Sequence, residues 1–372
     1  MSEWKECSLG DVLNLRRGHD LPHSEMKEGN VPVAGSNGII GTHNIATDIT
    51  PCITVGRSGS AGSTFIYERA WAHNTTLYVD DFKGNDAKYL YYLLLSLPLK
   101  KMAGGSAVPS LNRNHIHPLK IKFPNTINEQ RRIASILSSL DDKIAVNRRI
   151  CENLEAQAQA LFKHWFIDFA PFKDGKFVES ELGMIPEGWR VGTLGEICEY
   201  SKKKIAISSL NEKTYFSTEN MLPNKAGADD SSSLPQTAMT TGCLPYDVLV
   251  SNIRPYFKKI IRVTVPCGCS TDVLCFHPHK PKYNSFLYRL LYDDKFFVYV
   301  MAGSKGTKMP RGDKNQIMKY PIIISTDSVL EEFTNFVEPM LESISSMKKE
   351  NLRLSTLRDT LLPKLMSGQI KL

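Results

Sequence analysis

Apolar residues recur through the middle of the chain at alternating steps of four and three: Ile133, Leu137, Leu140, Ile144, Asn147, Cys151, Leu154, Ala158, Leu161 and Trp165. That period predicts one long helix carrying a coiled-coil seam. The same spacing returns 200 residues later at Phe333, Val337, Met340, Ile344, Met347, Asn351, Leu354, Arg358, Leu361 and Leu365. A lone helix would leave its stripe in water, so the two helices are expected to pack on each other. Pro339 is expected to kink or loosen the first turns of the second helix, and Pro363 and Gly368 to limit its end. Asn147 and Asn351 are polar at seam positions; either they fix the register or they lie near a wet edge.

Ahead of each helix the pattern shortens to strand-like runs, Val31 to Ala34 and Thr76 to Val79 in the first half and Val248 to Ser251 and Val273 to Phe276 in the second. The halves also match in sequence. WKECSLGDV at 4–12 lies opposite WRVGTLGEI at 189–197, an offset of 185 residues. Ile53-Thr54-Val55 faces Val248-Leu249-Val250 at 195, and Pro109, Asn114 and Ile116 face Pro310, Asn315 and Ile317 at 201. The growing offset places an insertion in the second copy, within the polar run KAGADDSSSLPQTAMTTG. The chain is thus read as an internal repeat of α+β class. Its parts are a mixed domain at 1–125, a helix at 126–165, a linker at 166–188, a second mixed domain at 189–325 and a helix at 326–372.

Composition changes this picture little. A hydrophobic fraction of 42% and 23% charged residues suit a globular chain, and the longest apolar runs are too short to span a bilayer. MSEWKECSLG has no basic segment followed by an apolar one, so a cytoplasmic location is expected. The net charge of +7 has its positive excess on the two mixed domains, which suits an acidic polymer as partner. Eight cysteines without a CxxC pair read as reduced thiols. Cys267, Cys269, Cys275, His277 and His279 are metal-ligand types, but their spacing reads better as residues sharing strand faces, and no metal is expected.

The run NEQRRIASILSSLDDKIAVNRRICENLEAQAQALFKHWFIDF, followed by SELGMIPEGW, resembles the central region of the specificity subunits of type I restriction-modification systems. KKENLRLSTLRDTLLPKLMSGQI resembles their distal helical region, and PVAGSNGIIGTHN and GRSGSAGS look like pieces of their first target recognition domain. The resemblance implies two target recognition domains separated by two long antiparallel coiled-coil helices, each domain reading one part of a split DNA sequence. It also implies partners: two methylation subunits that dock on the helical spacer and carry S-adenosylmethionine, and restriction subunits that cleave DNA. On that reading the chain holds no cofactor and catalyses nothing. Spacer packing falls to Ile133, Leu137, Leu140, Ile144, Leu154 and Leu161 against Phe333, Val337, Met340, Ile344, Leu354 and Leu361. Residues 129 to 165 would then form a rod of about 55 Å.

Two enzymatic readings compete. A self-contained DNA adenine methyltransferase needs a cofactor glycine loop and an Asn-Pro-Pro-aromatic segment; NIRPYF at 252–257 has one proline, and the glycines from Gly35 to Gly41 sit between short strands, as a turn would. A nuclease needs clustered carboxylates, and Asp11 with Glu25 and Lys27 gives only a loose order without strand-like flanks. Candidate DNA readers are Arg57, Asn74 and Arg113 in the first domain and Arg254, Lys258, Lys259, Lys308, Arg311 and Lys314 in the second, all in loops or beside strand ends. Arginine can grip guanine at two atoms and asparagine adenine, whereas lysine neutralises phosphate. The competing reading of each is a solvated surface charge. Tyr256 and Phe257 read as core aromatics at a strand edge rather than as stacking platforms.

Overall fold

The computed structural model describes residues 4–104, 109–370 and 372. It divides into two units, Met1–Asn147 with Glu350–Leu372, and Arg148–Lys349. The division falls inside both long helices, which run Ile127–Phe166 and Asp327–Met366. Each unit therefore owns a piece of each helix.

In the first unit, strands Asn14–Arg17, Thr76–Asp81, Cys52–Gly56 and Thr64–Tyr67 form an antiparallel sheet in that order. Every residue of Cys52–Gly56 is buried, as a strand covered on both faces demands, and its β-branched Ile53, Thr54 and Val55 suit that place. A second sheet joins Gly38–His43, Val31–Gly35 and Trp71–Ala72, the last pair parallel. Trp4–Ser8 pairs with Lys120–Pro124 and leads the chain towards the central helix. The core packs Leu15, Ile53, Val55 and Val79 with Tyr89, Leu90 and Leu93 of the helix Ala87–Ser96, and with Ile133, Leu137, Leu362 and Leu365 of the long helices. Fully burying each such side chain is worth roughly 1.5–3 kcal/mol.

The second unit repeats the plan. Cys198–Tyr200, Val273–Pro278, Val248–Ser251 and Ile260–Arg262 form an antiparallel sheet of the same order. Arg190–Thr193 pairs with Pro321–Ile324 as Trp4–Ser8 does with Lys120–Pro124. The pair Gly192 and Ile322 lies 185 and 201 residues beyond Cys7 and Ile121, the offsets of the sequence repeat. The caps repeat too: Ser8 N–H donates to Asp11 and Thr193 N–H to Glu196, each at 2.8 Å. The side sheet differs, with Lys204–Ala206, Met239–Cys243, Cys267–Cys269 and Tyr215–Phe216 in order. Met239–Cys243 takes the end of the polar run expected to be inserted, so that run is partly strand rather than all loop.

In the first unit the helices cross with opposite chain sense, Arg358 meeting Asp141 at 2.7 Å and Asn147 meeting Asn351 at 2.9 Å. In the second, Cys151 lies beside Ile344 and Met347, and Trp165 beside Phe333. Asn147 is 1% exposed and spends both donors across the seam, on Glu350 and Asn351, which fits register fixing and excludes a wet edge for this residue. The distal helix continues through Pro339 and Pro363. Pro339 is exposed, and so is Asn335 four residues earlier, whose unpaired carbonyl water can satisfy. Gly368, at φ +71°, ends the helix as expected.

The segment 166–188 is more ordered than a plain linker. Phe177–Ser180 and Gly183–Pro186 form a hairpin, and Phe169 and Phe172 pack on Trp189 at 5.6 and 5.0 Å between ring centroids. Arg289 is fully buried in this unit. It donates to Glu155 at 2.9 Å and lies against the rings of Tyr288 and Tyr292.

Candidate nucleic-acid interface

Each sheet ends in the same backbone device. After Cys52–Gly56 the chain turns, Gly59 N–H donates to Pro109 O at 3.2 Å, and Leu111 N–H donates to Arg57 O at 2.7 Å. After Val248–Ser251, Arg254 N–H donates to Pro310 O at 2.8 Å, and Gly312 N–H to Asn252 O at 3.3 Å. All four donor–acceptor pairs correspond at offsets of 195 and 201 residues, so the repeat extends to individual hydrogen bonds. The bridges agree: Ser58 with Ser110 and Gly104 with Ser110 in one unit, Ile253 with Arg311 and Lys305 with Arg311 in the other.

This loop pair gathers most of the candidate readers within each unit. In the first, Arg57 Nη1 donates to Asn74 O at 3.3 Å and Arg113 Nη1 to Leu15 O at 3.3 Å. The Asn74 side chain donates to Asp20, which also lies 3.8 Å from Arg17. These contacts occupy part of each group while leaving Arg113 exposed.

In the second unit the side chains of Arg254, Lys308 and Lys314 are exposed and have no ion-pair partner among the described residues. Arg311 is exposed and sits 3.2 Å from Asp272. Lys258 is committed elsewhere, with Lys225, to Asp294 at 2.9 and 2.7 Å. The two ammonium groups, Lys225 first, hold the Asp294 carboxyl below its ordinary pKa. Lys259 turns inward to Thr218 O, lies 5.8 Å from the Phe257 ring, and has its pKa lowered by burial. The nine candidates thus divide into free cations, buttressed cations and groups engaged in the scaffold. Sequence reasoning missed the carboxylates that do this, Asp20, Asp272 and Asp294, because each acts on a residue distant in the chain.

Tyr256 and Phe257 depart from expectation. They are 48% and 38% exposed rather than core, because the strand ends at Ser251 and the turn Pro255–Phe257 lifts them clear. Other sequence suspects resolve into structure. Asp11 is a capping carboxylate whose pKa is lowered by hydrogen bonds from Ser8. Cys243, Cys267, Cys269 and Cys275 pack in one apolar cluster, where hydrogen bonding to the neighbouring thiols, Cys267 first, and burial hold Cys243 protonated. His277 pairs instead with buried Asp247 at 2.6 Å, and His279 with Gly195 O at 3.2 Å. Among the described residues no group of three or more His, Cys, Asp or Glu is arranged to hold a metal ion. No helix among them is long and apolar enough to cross a membrane.

The molecule is a mixed helix and sheet scaffold whose two units present loop pairs with matching backbone hydrogen bonds. Comparisons with known proteins identify that class. The family described as Type I restriction modification DNA specificity domain matches residues 1–156. The type I restriction enzyme MjaIX specificity subunit of Methanocaldococcus jannaschii is 30% identical over 311 residues, covering 77% of this chain and 69% of that protein. The HindI specificity subunit of Haemophilus influenzae is 23% identical over the full length of both. A crystal structure of a type I restriction-modification S subunit from M. genitalium shares the fold, with a TM-score of 0.69 over 98% of this chain and 96% of that one at 18% identity. The chain belongs to the specificity subunits of type I restriction-modification systems, the family of DNA target recognition.

Proposed function

We propose that this chain reads a split DNA target, one part with the loop pair of each unit, and takes no part in the chemistry itself. In this reading the recognition domains at 1–125 and 189–325 are separated by the helices at 126–165 and 326–372 as an antiparallel coiled-coil spacer. Two methylation subunits dock on the spacer and bring S-adenosylmethionine, restriction subunits join through that complex, and the whole acts on double-stranded DNA in the cytoplasm. Arg254, Lys308, Arg311 and Lys314 serve the second half-site, and Arg57, Asn74 and Arg113 the first. Lys258 and Lys259 shape the second loop.

The observation that carries this reading is the loop pair repeated bond for bond with different side chains on it. A common backbone frame with divergent exposed residues is what two different half-sites, met in one geometry, require. The test is methyl transfer to duplex DNA. The purified chain should transfer none, while the chain co-purified with its methylation subunits should methylate adenine within a two-part site. Transfer by the chain alone, persisting through removal of contaminants, would overturn the non-catalytic assignment.

A further inference from the structure

The two versions of the loop differ in a way that backbone strain makes informative. Gly59 stands at φ +80° in the first unit, and its repeat equivalent Arg254 stands at φ +49° in the second. Glycine adopts that left-handed conformation freely, whereas a side chain there costs energy that the surroundings must supply. At Arg254 they do. Its N–H is held by Pro310 O, Asn224 N–H donates to Phe257 O at 2.7 Å, and Lys225 N–H to Lys258 O at 3.0 Å. Lys258, itself at φ +51°, is clamped with Lys225 on Asp294. The turn is therefore fixed from three sides.

What this frame presents is apolar and outward. Tyr256 and Phe257 stand with ring centroids 4.6 Å apart, and the Tyr256 ring has no other ring or cation against it among the described residues. Met309, 49% exposed, lies in the facing loop. Arg254 opens the turn and Lys308 lies in the facing loop beside Met309 in sequence; both are exposed and neither has an ion-pair partner among the described residues. The first unit carries Ala61 and Gly62 where the second carries Tyr256 and Phe257. A strained, buttressed turn that exposes two aromatics next to the free cation Arg254 fits an anionic polymer whose units have flat faces, since bases stack on aromatic rings.

Resting on the DNA-recognition reading above, we infer that the turn Arg254–Lys258 is a wedge. Tyr256 stacks on a base of the half-site read by the second unit and opens that base step, supported by Phe257, while the first unit reads its half-site without unstacking. The reader distinguished by this is a deformable step in one half-site only.

The experiment uses the complex of this chain with its methylation subunits and duplexes carrying 2-aminopurine at successive positions of both half-sites, the methylated adenine excepted because methyltransferases extrude their target base. The wild-type complex should raise fluorescence at one step of the second unit's half-site and at none of the first. Tyr256→Ala with Phe257→Ala should abolish the rise and weaken binding by roughly 5- to 150-fold, the value of one stacked base, whereas Tyr256→Trp should keep both. Because these side chains are exposed, circular dichroism of the double variant should match wild type. A rise that persists in the double variant, or no rise anywhere while the complex binds its split site tightly, overturns the wedge and leaves recognition standing. A complex that shows no sequence-specific binding at all overturns the recognition reading and the wedge with it.

Discussion

The side chains that face solvent around the two loop pairs differ in how free they are, and that sets what each can do. Arg254 is unpaired, while Arg311 is buttressed by Asp272, and under the proposed function each guanidinium would make a two-point contact to a base edge. Arg254→Ala should relax the sequence requirement at one half-site by about 1–3 kcal/mol and leave the other unchanged, measured as competition between single-base variants of the target. Equal losses at both half-sites would contradict modular reading. Partly buried histidines give a second residue-scale expectation. His117 Nε2 accepts from Leu15 N–H at 3.0 Å and must be neutral to do so; burial first, then Arg113, lowers its pKa. His73 is lowered by burial as well. Below the ordinary histidine pKa of 6.5 the unfolded chain therefore binds more protons than the folded one. This contribution to stability is full above that pH and is lost as pH falls. Thermal unfolding of wild type should shift down from about pH 7.5 to about pH 5.5, and His117→Gln with His73→Gln should shift less. An identical shift in both proteins would refute it. These roles were hardly legible in the sequence: nothing in the spacing of His117 or Asp272 announces a partner at Leu15 or Arg311.

Whole elements were far more legible, because their signals are periodic and local. The helices expected at 126–165 and 326–372 run Ile127–Phe166 and Asp327–Met366, so the first three ends agree to one residue while the last stops six residues early, and the strands around Val31, Thr76, Val248 and Val273 lie where alternation and β-branched runs put them. Pro339 does not end the helix, since a proline on an exposed helix face loses a bond that water replaces. The hairpin in 177–186 escaped notice because its strands are short and half exposed. So did the lock between Arg289 and the central helix, which joins residues 134 apart. Arg289 has no exposure and Glu155 little, so removing one partner leaves a charge buried without compensation. Glu155→Ala should destabilise the second unit by roughly 3–5 kcal/mol, followed by urea unfolding, whereas Glu155→Leu with Arg289→Met should recover much of the loss. A single variant as stable as wild type would mean that the pair is solvated and holds nothing.

At the scale of the whole molecule, the words that match along the sequence lie in strands and loops whose hydrogen bonds also match. Opening strand, capping carboxylate and loop pair recur at the offsets read from the sequence, and the four-stranded sheet recurs in the same strand order. What the repeat could not convey is which exposed residues matter, because reading surfaces are the places where the two copies differ. The split target is the central claim, and sequencing of methylated bases tests it most directly. Cells lacking other adenine methylation would express this chain with its methylation subunits, with the methylation subunits alone, or with the chain alone. The account predicts one methylated motif made of two specified parts with an unspecified gap, present only when chain and methylation subunits are together. A single uninterrupted motif, or the same motif without this chain, would contradict it.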